Sequence, residues 1–395
     1  MHGRNGLVEG VMTEPFLFKA AARLVDFMRQ ADDPELLNLA AGVPSLEALP
    51  TTELAVAFQR ALATQGSKLF GYHNPEGDYE LRDLLAQRLS RRGAAVSGSD
   101  LFTTTGCTQG LSVMLSVLVQ PGDVVAFEAP AYYGMLELLA QVGARALPLP
   151  LSGADGIDVD LAEALLTRWK PRCLVVCSSL SNPSGATLPE ASRERLVEIC
   201  RRLGVRIIED DIYAELVDGG APKPMRAFDD GSTVSWVTSF SKSISPGLRV
   251  GVCAPGDLFE EAIARKVQQD LHSAVPTEVA LREFLGAGCF DPHLESLRIR
   301  NAGRRELALA TVARCFPAGT QVNPPNGGYM LWARLPGTVD FASVRAKARS
   351  RRVAFAAGDV FFAGPAPSSG VRLNCDRVSE PELVFALETL GELLS

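Results

Sequence analysis

From about residue 100 to 255 the chain alternates between short apolar runs and stretches that are apolar along one helical face. "DVVAFEAP", "CLVVCSS", "VRIIEDD", "VSWVTS" and "LRVGVCAP" are apolar on successive residues rather than alternate ones, so each reads as a strand buried on both faces. "RALPLPL" and "LFTTTG" are further strand candidates. After "LFTTTG", Leu111, Met114, Leu115 and Leu118 recur at i, i+3, i+4 and i+7, which is a single apolar helical stripe. Other helices are expected near 133–142, 160–169 and 189–203. Strands alternating with crossover helices build a mostly parallel sheet with helices on both sides, so the expected class is α/β.

Past residue 280 the texture changes. A long basic and apolar helix ("PHLESLRIRNAGRRELALATVARCF") is followed by "NGGYMLWARL" as a strand, a helix near 340–351, "VRLNC" as a strand and a C-terminal helix. The expected organisation is an N-terminal arm that completes part of a small domain (1–45), a large domain (46–285) and a small α+β domain (286–395).

In an open parallel sheet, ligands sit beyond the carboxyl ends of the strands. "GCTQG", "SNPSG", "EDDIY" and "SFSK" each follow a strand, and all four therefore fall on one rim. Composition narrows what that rim does. A formal charge of −7 with dispersed basic residues disfavours a nucleic-acid groove. Four histidines and eight cysteines without a CxxC pair give no metal-ligand spacing and read as reduced thiols of a cytoplasmic chain. No stretch is apolar for the ~18 residues a membrane span needs.

"SFSKSISPGLRVG" (239–251) sets Ser239, Ser241, Lys242 and Arg249 at the end of a strand. The Ser239-to-Lys242 spacing also matches a serine acyl-enzyme, whose companion S-D-N and K-T-G motifs the chain lacks. A lysine that holds an aldehyde cofactor as a Schiff base, beside hydroxyls and a guanidinium suited to phosphate, fits better. That chemistry describes pyridoxal phosphate, and it demands further parts. Asp210 in "EDDIY" suits the pyridine nitrogen. Asn182 and Tyr213 are donors for the phenolic oxygen, and the turn at Gly106, Cys107 and Thr108 opens a helix towards a phosphate. Tyr132 offers a flat ring, and Arg372 a bidentate carboxylate clamp.

Together, "SFSKSISPGLRVG", "SNPSGATLP", "EDDIYAEL", "TTGCTQGL" and "GYHNPEGDYELR" give the chain a resemblance, over nearly its full length, to fold-type I pyridoxal-phosphate enzymes of the class I/II aminotransferases. Within these it resembles the 2-aminoadipate-aminotransferase-like branch that includes the aminotransferase-like domain of MocR-type regulators. The resemblance implies a seven-stranded sheet and a homodimer, with amino acids and 2-oxo acids as substrates. It also implies Lys242 as the internal aldimine, Asp210 at the pyridine nitrogen, and Asn182 and Tyr213 at the phenolic oxygen. Gly106, Cys107, Thr108, Ser239, Ser241 and Arg249 would hold the phosphate, joined by Tyr72 of the other subunit. Tyr132 would stack on the ring, and Arg372 with Asn182 would bind the substrate carboxylate. MocR-type regulators carry a DNA-binding module ahead of this domain; fewer than forty residues precede "NLAAG" here, so none is expected. The same carbanion serves transamination, elimination, γ-replacement or cyclisation, and a non-catalytic amino-acid sensor is a further alternative. Gly358 and Phe361 in "GDVFFAGP" are candidates for the side-chain pocket, or for packing.

Overall fold

The computed structural model describes residues 7–8, 11–19, 25, 29, 33–366 and 369–395. Its centre is a seven-stranded sheet: β1 (Phe102–Thr104), β2 (Val124–Ala129), β3 (Arg145–Pro150), β4 (Cys173–Val176), β5 (Arg206–Asp210), β6 (Val234–Ser239) and β7 (Gly251–Ala254). The spatial order is β1-β7-β6-β5-β4-β2-β3. Only β7 runs antiparallel to its neighbours; every other pairing is parallel.

The continuous apolar runs have a simple cause. Val125 and Phe127 of β2 pack with Leu111, Met114 and Leu115 of helix α1 (Cys107–Leu118) on one face. Ala126 between them packs on the other face, with Leu165 of α2 (Val159–Trp169) and Leu196 of α3 (Glu190–Leu203). Both sides of the strand are thus removed from water, each large apolar side chain contributing about 1.5–3 kcal/mol. Contact between α1 and the sheet is tight enough to require a glycine. A Cβ on Gly110 would stand 2.4 Å from Cγ1 of Val237 on β6, and valine has little freedom to turn away. Gly110→Ala is expected to destabilise the fold by about 1–3 kcal/mol, read as a lower urea midpoint with an unchanged slope.

A smaller antiparallel sheet, in the order β8-β9-β11-β10, is built from β8 (Gln321–Val322), β9 (Met330–Arg334), β10 (Ala356–Ala357) and β11 (Gly370–Asn374). Beside it Leu37–Asn38 pairs in parallel with Val353–Ala354, which ties the N-terminal segment to this lobe. Helix α4 (Phe290–Cys315) joins the two lobes. Phe290 and Leu294 pack against Leu281 and Phe284 of the large lobe, whereas Ala308 and Val312 pack with Leu331 and Leu373 of the small sheet. Among the described residues no helix is long and apolar enough to cross a membrane.

Candidate active site

Lys242 lies three residues beyond the end of β6 and is half-buried. Its Nζ donates to the carbonyl of Gly42 at 2.6 Å and stands 5.9 Å from the centre of the Tyr213 ring. Burial, helped by the positive charge of Arg372 and opposed by Asp210, pushes the amine down to about 8. About a tenth of the amine is therefore neutral at pH 7, far more than for an ordinary lysine.

Asp210 ends β5. Its Oδ1 accepts from Sγ of Cys107 at 3.1 Å and from the backbone N–H of Ile212 at 3.2 Å. Burial pushes this carboxyl up to about 6 despite those two donors. Asp211, the next residue, faces elsewhere: its carboxylate accepts from Arg92 Nη1 at 2.6 Å and Trp236 Nε1 at 2.8 Å. That anchor fixes the strand end and leaves Asp210 turned to the site.

At one end of the constellation, Gly106 holds φ +100 ahead of α1. A Cβ there would stand 2.7 Å from Arg249 Nη2, so only glycine lets the guanidinium approach this turn. Arg249 donates to the Thr105 carbonyl at 2.6 Å and to Ser241 Oγ at 3.5 Å, and Ser239 Oγ accepts from the Ser241 N–H at 3.3 Å. Hydroxyls, a guanidinium and a helix N-terminus thus gather as an anion site would require. The side chain of Cys107 points at Asp210 rather than at this group, because the first turn of α1 faces the end of β5; only its backbone N–H is placed for an anion. Thr108, the next residue, is exposed at the helix start.

Arg372 on β11 is fully buried. Nη1 donates to Asn182 Oδ1 at 2.7 Å, Nη2 donates to the Ala40 carbonyl, and Nε has no partner. The Phe361 ring centre lies 5.0 Å from the guanidinium and that of Tyr133 lies 5.8 Å away. Asn182 is held in place by Arg193 of α3, which donates to the carbonyls of Ser178 at 2.7 Å and Leu188 at 2.8 Å on either side of that loop. The Tyr132 ring folds over Gly134, whose added Cβ would stand 2.5 Å from it. Tyr213 is buried, and burial raises its phenol well above the ordinary value. Tyr72 is 86% exposed and lies away from these groups, its ring edge-on to His272 at 5.6 Å. Phe361 packs beneath Arg372, and Gly358 packs against Gly370 and the Trp332 ring, so both support the site from behind.

Sequence reasoning left the segment at 40–43 without a role. Gly42 accepts from Lys242, and a Cβ on it would stand 3.3 Å from Arg372 Nη1. Asn374 ties the segment down by donating to the carbonyls of Ala41 at 2.6 Å and Val43 at 2.8 Å. A signal existed: Asn374 is two residues beyond Arg372 on one strand and so shares its face. Among the described residues no cluster of His, Cys, Asp or Glu could hold a metal ion.

Residues 34–390 match the family model for aminotransferase class I and II. The chain is 30% identical over 379 residues to the 2-aminoadipate transaminase of Thermus thermophilus, covering 95% of this chain and 94% of that one. It is 29% identical to the HTH-type transcriptional regulator YjiR of Escherichia coli, over 94% of this chain and 79% of the regulator. The crystal structure of LysN, the alpha-aminoadipate aminotransferase of Thermus thermophilus in complex with N-(5'-phosphopyridoxyl)-L-leucine, superposes with a TM-score of 0.87 at 28% identity, over 95% of this chain and 94% of that one. With its sheet, its strand-end constellation and these likenesses, the chain belongs to the class I and II aminotransferases, enzymes that use pyridoxal phosphate to exchange amino groups between amino acids and 2-oxo acids.

Proposed function

We propose that Lys242 is the catalytic amine of this aminotransferase and that Arg372, with Asn182, receives the α-carboxylate of its substrate. The observation that carries the reading is a shared support: Lys242 donates to the carbonyl of Gly42 and Arg372 to that of Ala40. An amine and a carboxylate clamp held by one short segment suit the two functional ends of an α-amino acid.

The donor set also fits the cofactor. Arg249, Ser239, Ser241 and the backbone N–H groups of Cys107 and Thr108 would bind its phosphate, with Gly106 leaving room for the guanidinium. Tyr132 would cover the ring face, and Asn182 and Tyr213 would donate to the ring oxygen. Asp210, ionised above about pH 6, would oppose a protonated ring nitrogen. Pyridoxal phosphate, when bound, supplies a carbonyl that exchanges amino groups and a ring that accepts the electron pair released at the substrate's Cα. Lys242 would hold the group covalently at rest; once freed, its Nζ takes the proton from Cα. The exposure of Phe70 and Tyr72 supports a homodimer in which Tyr72 reaches the partner's phosphate site. The net charge of −7 supports a chain without a nucleic-acid partner, and eight free cysteines support a cytoplasmic setting.

The test uses the apoprotein, pyridoxal phosphate, borohydride trapping and peptide mass mapping. The amine is depressed from 10.5 to about 8, so below pH 8 it is mostly protonated and unreactive, and above pH 8 mostly neutral. Label is expected on Lys242, with a capture rate that rises about tenfold per pH unit and levels off above pH 8. Label on another lysine would refute the assignment.

A further inference from the structure

One cavity among the described residues does not coincide with the constellation around Lys242. It holds about 430 Å³ at the seam between the lobes and is partly open to solvent, a size within the ~300–1,000 Å³ range of small-molecule sites. Pro130 and Leu151, just beyond β2 and β3, form one wall; Trp332 of β9 and Phe362 form the other. Neither Lys242 nor Arg372, Asn182 or Asp210 lines it.

Its polar groups are one cation and neutral hydrogen-bonding side chains. Arg334 at the end of β9, Gln321 on β8 and Asn323 just after it, and Ser184 all line the space, and no carboxylate does. Arg334 and Gln321 are exposed and Asn323 is half-buried; among the described residues their side chains make no hydrogen bond or ion pair within the protein. An arginine fork and two carboxamides left unpaired beside an apolar wall match a planar anion attached to a short carbon skeleton.

We infer that this interlobe cavity is a second site, distinct from the catalytic constellation, that binds a small organic carboxylate through Arg334, Gln321 and Asn323. Because its walls come from both lobes, a ligand there would bridge them. Arg334 shares β9 with Trp332, the cross-strand partner of Arg372, so occupancy is coupled to the position of the carboxylate clamp.

The experiment titrates succinate into the cofactor-loaded Arg372→Ala protein by calorimetry, which removes the catalytic clamp as a competing site. The same titration is run on the Arg334→Ala, Arg372→Ala double variant, and Arg334→Ala alone is assayed for turnover of a monocarboxylic amino acid. Saturable succinate binding to Arg372→Ala, weakened at least about tenfold in the double variant, with turnover of Arg334→Ala near that of the wild type, is the expected result. Absence of saturable binding up to about 10 mM, or equal binding by both proteins, would overturn the inference. The readout is binding rather than catalysis, so its failure would leave the roles of Lys242 and Arg372 untouched, and theirs would leave it untouched.

Discussion

Replacing Lys242 with alanine is expected to lower amino-group transfer by at least about 10³-fold while leaving a folded protein that still binds pyridoxal phosphate through its phosphate group. Two functions are lost together. In the proposed assignment the side chain is both the covalent attachment point and the base that moves the Cα proton, a role worth ~10²–10⁴-fold by itself. Arg249, Ser239, Ser241 and the start of α1 lie on other residues and persist, so cofactor affinity falls far less than rate. Lys242→Arg separates charge from basicity: the guanidinium keeps the positive charge but does not deprotonate, so it is expected to be as inactive as the alanine variant. Loss of the bond to Gly42 is a local event, and the urea midpoint should move by no more than about 1–2 kcal/mol of stability. A Lys242→Ala protein with near wild-type turnover would return this lysine to a structural role.

The second large effect falls on substrate affinity. Arg372→Ala removes a fully buried guanidinium, the group proposed to clamp the substrate carboxylate through two hydrogen bonds. Hydrogen bonds to charged groups contribute about 1.5–3 kcal/mol each, so losing two of them should lower kcat/KM by roughly 10²- to 10⁴-fold for amino acid and 2-oxo acid alike. Cofactor capture at Lys242 should survive, because the groups that would hold the phosphate, Arg249, Ser239, Ser241 and the start of α1, are all retained. Arg372→Lys is expected to recover little: an ammonium cannot reproduce the fork that reaches Asn182 and Ala40 together. Equal losses of cofactor binding and catalysis would show instead that Arg372 acts by holding the small lobe in place.

The uneven legibility of this molecule has physical causes. β2, β4, β5 and β6 were visible in the chain because both of their faces are buried, which writes them as unbroken apolar runs. The polar clusters at their carboxyl ends were visible because parallel topology gathers them on one rim. The direction of Cys107 was not, since the first residue of a helix faces wherever the helix axis sends it, and that depends on the packing of α1 against β5 and β6. The roles of Gly42 and Asn374 depend on how the N-terminal segment crosses β11, a contact 331 or more residues long in sequence. The interlobe cavity belongs to neither lobe alone; Arg334, Gln321 and Ser184 carry no pattern that would bring them together on paper.

The most direct test of the central claim mixes the cofactor-loaded protein with single amino acids from a panel, without any 2-oxo acid acceptor, and measures the products of one turnover. Transfer to the cofactor predicts one 2-oxo acid per active site from a reactive amino acid, no ammonia, and recovery of the amino acid when the 2-oxo acid is added back. Ammonia released in step with product, or no reaction from any member of the panel, would contradict the account.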